Sequence, residues 1–273
     1  MTAIPPDVVL SRDVVYARYG ARALTMHILT PAALDRARPL PAILHVHGGG
    51  WKVRDRKALL ADIVRVAQRG YIAATMHYRL SEEARFPAQI QDLKCAVRFL
   101  RANAVELGID PQRIGAWGYS AGGHLVALLG VSGGRADFEG DGGWAGTDSR
   151  VQAVVNCCGV IDIPSYSLGG HESEDHADHY AALLLGGPTP QRLAEARRAS
   201  PITHVSRSAA PILTIHGDQD EAVPIEQGRM FHRALISAGA PSEMIELPGG
   251  RHEFGGPAID AAVDDFFDRW LRA

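Results

Sequence analysis

Arg113-Ile114-Gly115-Ala116-Trp117-Gly118-Tyr119-Ser120-Ala121-Gly122-Gly123-His124-Leu125-Val126-Ala127-Leu128-Leu129 reads as a strand, a sharp turn and a helix, with Ser120 at the apex. A serine held on such an elbow stands exposed above a sheet edge in a strained backbone. Glycines at 118 and 122 suit it, because a tight elbow needs unusual dihedrals and close strand–helix packing. Gly-x-Ser-x-Gly fixes only three positions, and Gly130-Val131-Ser132-Gly133-Gly134 fits as well. Ser132 follows the helical run with no strand before it, and reads as a glycine-rich helix stop. Context therefore selects Ser120 as candidate nucleophile; its plainer role would be a helix N-cap.

Outward from the elbow, short apolar runs alternate with helical patterns. Ala42–Val46, Tyr71–Met76, Arg113–Trp117, Val151–Val155, Pro211–His216 and Glu243–Leu247 read as strands. Ala58–Gln68, Pro87–Ala104, Ile225–Ala238 and Ala258–Leu271 read as helices. In the second of these, Ile90, Leu93, Val97 and Leu100 recur at three- and four-residue spacing, the mark of an amphipathic helix. Near-continuous apolar strands alternating with helices predict an α/β fold, a mostly parallel sheet covered on both faces. Val8–Tyr16 and Ala23–Leu29 look like an antiparallel lead-in. Neither repeat nor linker interrupts residues 1–273, which read as a single domain. Two segments break the rhythm, the Gly- and Asp-rich 133–150 and the polar, histidine-rich 165–179. Both are candidate lids or inserts over the strand ends, where open α/β sheets place their sites.

Composition narrows the function. The 273 residues are 46% hydrophobic and 22% charged, enough for a large core. A net charge of −3 argues against a nucleic-acid partner. No apolar run approaches a membrane span, and the N-terminus lacks a basic region and apolar signal core, so the chain reads as cytoplasmic with no membrane partner. Cys95, Cys157 and Cys158 make no disulfide framework, and the adjacent pair reads as buried core thiols.

A serine hydroxyl needs a base, an acid to orient that base, and donors for an oxyanion. His47-Gly48-Gly49-Gly50-Trp51 directly follows strand 42–46, and its glycines leave backbone N–H groups unobstructed. The N–H of Ala121, just after the candidate nucleophile, would join those of Gly48 and Gly49. Strand 211–216 leads into Gly217-Asp218-Gln219-Asp220-Glu221, where either Asp218 or Asp220 could supply the acid. Gly249-Gly250-Arg251-His252 follows the last strand and offers the base; His232 lies mid-helix and reads as a packing residue. The order serine, acid, histidine is one of the known triad orders.

With these residues in place, the chain resembles the α/β-hydrolase superfamily, specifically its acetyl esterase/lipase-like branch with a His-Gly-Gly-Gly motif, which includes feruloyl, acetylxylan and carboxylesterases. The resemblance runs from about Pro41 to Trp270. It includes Phe86-Pro87-Ala88-Gln89-Ile90-Gln91-Asp92, Gly108-Ile109-Asp110-Pro111 and Ala199-Ser200-Pro201-Ile202. It implies a serine carboxylesterase acting on small to medium esters through an acyl-enzyme, with no cofactor and a small-molecule ester as partner. The family's acid, in Gly-x-x-Asp-x-x-Val-Pro, falls on Asp220 ahead of Val223-Pro224; its histidine falls on His252 and its oxyanion donors on Gly48, Gly49 and Ala121. Two departures bear on the pocket. Where relatives usually show Gly-Pro-Thr-Asp, this chain has Gly159-Val160-Ile161-Asp162 after Cys157-Cys158, and Tyr119 stands where many carry an acidic residue. Cys158, Tyr119 and Trp51 are thus candidates for the pocket wall.

Formamide, lactone or peptide hydrolysis on the same scaffold is the alternative activity, and a ligand receptor without turnover a second class, against which His252 speaks. His171, Asp175, His176, Asp178 and His179 have spacings compatible with metal ligation. They read instead as a solvated polar insert, and no metal is expected.

Overall fold

The computed structural model describes residues 4–53, 59–168 and 174–272, of which 59–60 and 174–178 are described for their backbone alone. Eight strands form one sheet: β1 (Val8–Tyr19), β2 (Arg22–Pro31), β3 (Leu40–Val46), β4 (Ile72–Met76), β5 (Ile109–Tyr119), β6 (Ala153–Cys157), β7 (Ile212–Gly217) and β8 (Ser242–Leu247). Their order is β1-β2-β4-β3-β5-β6-β7-β8. β1–β2 and β2–β4 pair antiparallel, and every pair from β4 onward is parallel. The lead-in hairpin and parallel body are those expected from the sequence.

Helices α1 (Leu59–Gln68), α2 (Ala88–Ala102), α3 (Ala104–Leu107), α4 (Ala121–Val131), α5 (Ile163–Leu168), α6 (Glu174–Leu185), α7 (Leu193–Ala199), α8 (Glu226–Ser237) and α9 (Pro257–Leu271) complete the chain. The side-chain alternation of each strand divides the core in two. Ala42, Leu44 and Val46 of β3 pack with Leu93, Leu125 and Phe231 on one face. Ile43 of β3 and Trp117 of β5 pack with Ile63, Phe266 and Phe267 on the other. Strands β4 and β6 are buried at every position, which is why they read as near-continuous apolar runs broken only by Thr75 and Asn156.

Two expectations shift. The strand expected at 151–155 runs over 153–157 instead. Its register on β5, from Gly115↔Ala153 to Tyr119↔Cys157, places Cys158 just past its C-terminal end. Segment 133–150 is bonded to the body of the fold. Its Glu139 is gripped by Lys94, Arg98 and Ser149, and Trp144 Nε1 donates to the Tyr16 carbonyl at 2.7 Å. These contacts fasten it to α2 and β1. Buried Lys94 needs polar partners, and this loop supplies the Glu139 carboxylate and the Ser149 hydroxyl while the end of α4 supplies the Ser132 carbonyl. Among the described residues no helix is long and apolar enough to cross a membrane.

Candidate active site

Ser120 caps α4 with φ 53° and ψ −119°, a conformation costly for a residue with a Cβ. Neighbouring glycines make the turn feasible. A Cβ on Gly118 would lie 2.4 Å from the Gly122 carbonyl oxygen, and one on Gly122 would lie 2.1 Å from that of Val46. The Ser120 N–H donates to the Cys157 carbonyl at 2.8 Å, pinning the elbow to β6. Ser132, the alternative serine, is fully buried at the C-terminal end of α4.

His252 Nε2 lies 3.0 Å from Ser120 Oγ, and Nδ1 lies 2.8 Å from Asp220 Oδ2. The Asp220 side chain is wholly buried, and the Ala222 and Val223 N–H groups donate to its Oδ1 at 2.9 and 2.8 Å. His216 Nε2, on β7, sits 3.3 Å from Oδ2. Burial pushes this carboxyl upward, but hydrogen bonds from His216, His252 and the backbone outweigh it and hold it well below the usual carboxylate range. Asp218, the competing acid, is exposed and accepts the Gly249 N–H at 2.7 Å, tying β7 to the loop that carries His252. Since Asp220 binds Nδ1, the proton belongs there and the Nε2 lone pair faces Ser120. His232 is elsewhere, bonded to Ser242 Oγ.

The glycine loop after β3 meets the elbow directly. A Cβ on Gly48 would stand 2.9 Å from the Tyr119 carbonyl oxygen and 3.3 Å from Ser120 Cβ. Among the described residues, no backbone carbonyl takes the N–H of Gly48, Gly49 or Ala121. The loop is braced at both ends. Tyr78 stacks on His47 at 4.3 Å and donates to its carbonyl at 3.2 Å. Trp51 Nε1 donates to His124 Nδ1 at 3.0 Å, and His124 Nε2 reaches the Ala199 carbonyl at 2.8 Å. This chain of bonds fixes the His124 tautomer with its proton on Nε2.

A cavity of about 840 Å³ opens over Ser120 and His252, within the range of small-molecule sites. Gly48, Gly49, Tyr119 and Cys158 line it. Trp51 does not: it is 1% exposed and spends its only polar atom on His124, so it belongs to the core. Cys158 is buried with φ 43°, its Sγ 3.6 Å from the His252 carbonyl, and burial pushes its thiol well above the ordinary value. Cys157 packs in the opposite core beneath Trp117. Among the described residues of the two irregular segments and the helix that follows, Tyr166 and Tyr180 reach the cavity. Sequence reading missed these, as it missed His45, Asp62, Val223 and Phe254, which also line the wall. His171 and the side chains of Asp175, His176 and Asp178 lie outside the described residues; His179 is exposed. Among the described residues, one group of His, Cys and Asp side chains could share an ion: Cys158, Asp220 and His252. There the carboxylate and imidazole already serve each other.

A model of the BD-FAE family matches residues 26–235. The chain is 34% identical over 220 residues to Esterase LipC of Mycobacterium tuberculosis, covering 80% of this chain and 54% of that protein. It spans between 54% and 59% of the lengths of three mycobacterial relatives. Among solved structures, a truncated carbohydrate esterase from gut microbiota superposes with a TM-score of 0.84 at 30% identity, covering 97% of both chains. A propionate-bound esterase from Thermogutta terrifontis, Est2, gives 0.76 at 27% identity, covering 97% of this chain and 92% of that one. The sheet and its helices are those of an α/β-hydrolase.

Proposed function

The chain belongs to the BD-FAE family, and from that premise we propose that it hydrolyses carboxylic esters by acyl transfer through Ser120. The carrying observation is the relay from Asp220 through His252 to Ser120, with contacts of 2.8 and 3.0 Å. His252 takes the hydroxyl proton as Ser120 Oγ attacks the ester carbonyl. The N–H groups of Gly48, Gly49 and Ala121 receive the oxyanion, and the N-terminus of α4 adds its positive dipole end. The cationic imidazole is stabilised by Asp220, which stays ionised because three N–H groups are bonded to it and His216 stands 3.3 Å away. His252 then protonates the departing alcohol. Water, activated by the same nitrogen, releases the acid and restores the serine.

The esterase names carried by the relatives support esters over amides. The cavity, with Tyr119 and Cys158 in its wall, has room for small to medium esters. The test is a panel of p-nitrophenyl esters set against lactone, formamide and peptide substrates, with Ser120→Ala as control. We expect turnover of esters, covalent labelling by a fluorophosphonate probe, and loss of both in the variant. Labelling that survives Ser120→Ala would remove the nucleophile. Faster turnover of peptides or formamides than of any ester would replace the substrate class.

A further inference from the structure

The cavity is chemically two-sided. One side is walled by Cys158, Tyr166, Tyr180 and Val223; the other passes Tyr119 to His45, Asp62 and Asp260. Nothing in the hydrolytic relay uses that second side, and its groups are poorly matched to one another. His45 lies on β3 with 1% exposure, and neither ring nitrogen has a hydrogen-bond partner. Its Nε2 is 3.9 Å from Asp62 Oδ2, beyond hydrogen-bond reach. Asp62, on α1, has 30% of its side chain exposed, and among the described residues no side-chain or loop N–H is bonded to it. Asp260, at the start of α9, is occupied by Arg65 at 3.6 Å. Edge-on packing against Trp117 at 4.9 Å holds the His45 ring in place. A buried imidazole with both nitrogens unmet is costly, and such groups call for an explanation.

The protonation states say what would satisfy the pair. Burial, aided by His47, lowers the His45 pKa to about 3, so the ring is neutral, with one N–H and one lone pair. Burial raises the Asp62 pKa to about 6, which leaves it mostly ionised at neutral pH, an acceptor only. One oxygen placed about 2.8 Å from each group spans their separation, accepting from the imidazole and donating to the carboxylate. A hydroxyl does both. A hydroxyl meets the imidazole in either tautomer, whereas an ammonium meets it only with the lone pair on Nε2 and an alkyl chain meets neither group.

We propose that His45 and Asp62 form a hydroxyl-binding subsite of the cavity, which takes an –OH carried by the substrate away from its ester carbonyl. The proposal rests on the reading of Ser120 as an ester-cleaving centre and extends it to hydroxylated esters. It makes His45 and Asp62 specificity residues with no part in proton transfer.

The test uses matched esters. Glycerol and erythritol monoacetates are compared with n-propyl and n-butyl acetate, and butyl ω-hydroxyalkanoates with butyl alkanoates. The readout is the ratio of kcat/KM, hydroxylated over alkyl, in the wild type, Asp62→Asn and Asp62→Leu. In at least one series the wild-type ratio should be about tenfold or more, the scale of a hydrogen bond to a charged group. The ratio should fall partway in Asp62→Asn and to about one in Asp62→Leu, with the change in KM. Fluorophosphonate labelling of each variant shows that its site is assembled. Wild-type ratios below twofold in every series, or a ratio unmoved by Asp62→Leu, would overturn the subsite. So would a trimethylammonium ester preferred over its neutral isostere and losing that preference in Asp62→Leu. If no ester is turned over, the ester reading fails alone. Calorimetric titration of Ser120→Ala with the same pairs then reads the subsite directly, and equal affinity within each pair would end it.

Discussion

Asp220→Asn and Asp218→Asn make a discriminating pair, because the two acids are alternatives in sequence and opposites in structure. Asp220 accepts from Ala222 N, Val223 N and His252 at 2.8–2.9 Å, and His216 Nε2, bonded to the Val223 carbonyl, stands 3.3 Å from its Oδ2. In the amide, Oδ1 can keep the two backbone donors. The amide nitrogen must then face His216 and His252, both presenting N–H. His252 relieves that clash by moving its proton from Nδ1 to Nε2, where it points at Ser120 Oγ. In that tautomer the ring cannot accept the serine proton. The loss in kcat should be on the order of 10⁴, or about 5 kcal/mol of transition-state stabilisation. KM should move by less than about threefold, since Asp220 is not in the cavity wall. In Asp218→Asn the amide oxygen still accepts the Gly249 N–H, and kcat should stay within about threefold. Steady-state hydrolysis of p-nitrophenyl acetate measures both. An Asp220→Asn enzyme within tenfold of wild type, or an Asp218→Asn enzyme equally impaired, would refute the assigned relay.

Gly122→Ala places a methyl 2.1 Å from the Val46 carbonyl and 2.7 Å from that of His47. It should cost about 3 kcal/mol and lower Tm by roughly 6–12 °C; a shift under 2 °C in thermal unfolding would contradict the packing. Trp51→Phe removes the donor to His124 and leaves a buried acceptor unmet. Urea unfolding should show a loss of about 1–3 kcal/mol, and an unchanged midpoint would show the brace carries nothing. Burial holds the folded pKa values of His45 near 3 and His124 near 4, below the unfolded value of about 6.5. Between those limits the unfolded chain binds the extra protons, so stability falls with pH, by about 1.4 kcal/mol per histidine per unit. Asp62, raised to about 6, works the other way from pH 6 down to about 4 and offsets one histidine. Net destabilisation of about 3 kcal/mol is expected between pH 7 and pH 5 in equilibrium unfolding; a flat or rising profile would contradict it.

The parts of the site that could be read in the sequence share a physical cause. Each depends on a backbone demand that only certain residues meet within a few positions. Ser120 needs glycines at 118 and 122 because carbonyls stand where their side chains would be. Gly48 needs to be glycine because Tyr119 and Ser120 fill the space beside it. Asp220 was harder. Nothing local separates it from Asp218; the difference is that Asp220 turns its carboxylate onto the Ala222 and Val223 N–H groups and under His252. Only a motif match preferred Asp220, the one that the structure places beside His252. Strand ends were equally hard, because an apolar run looks the same whether it stops at Val155 or Cys157. Pairing with β5 decided it.

The residues that went unread have nothing in common along the chain. His45, Asp62, Tyr166, Tyr180 and Phe254 come from a strand, three helices and a loop, and they meet because the sheet gathers its C-terminal ends at one edge. His45 illustrates the cost. In the run Ala42–Val46 it looks like a tolerated polar residue in a buried strand, and alternation even assigns it the correct face, beside Ile43. What alternation cannot reveal is that this face opens at its upper end. There the neighbouring helix presents a carboxylate 3.9 Å away instead of an apolar side chain, and the imidazole is left without a hydrogen-bond partner. The groups proposed for catalysis thus leave local marks because their geometry strains the backbone, whereas those proposed for specificity leave none because they only have to be present where the strands converge. The proposed nucleophile was accordingly readable in the sequence, while the meeting of His45 and Asp62 became visible only in three dimensions.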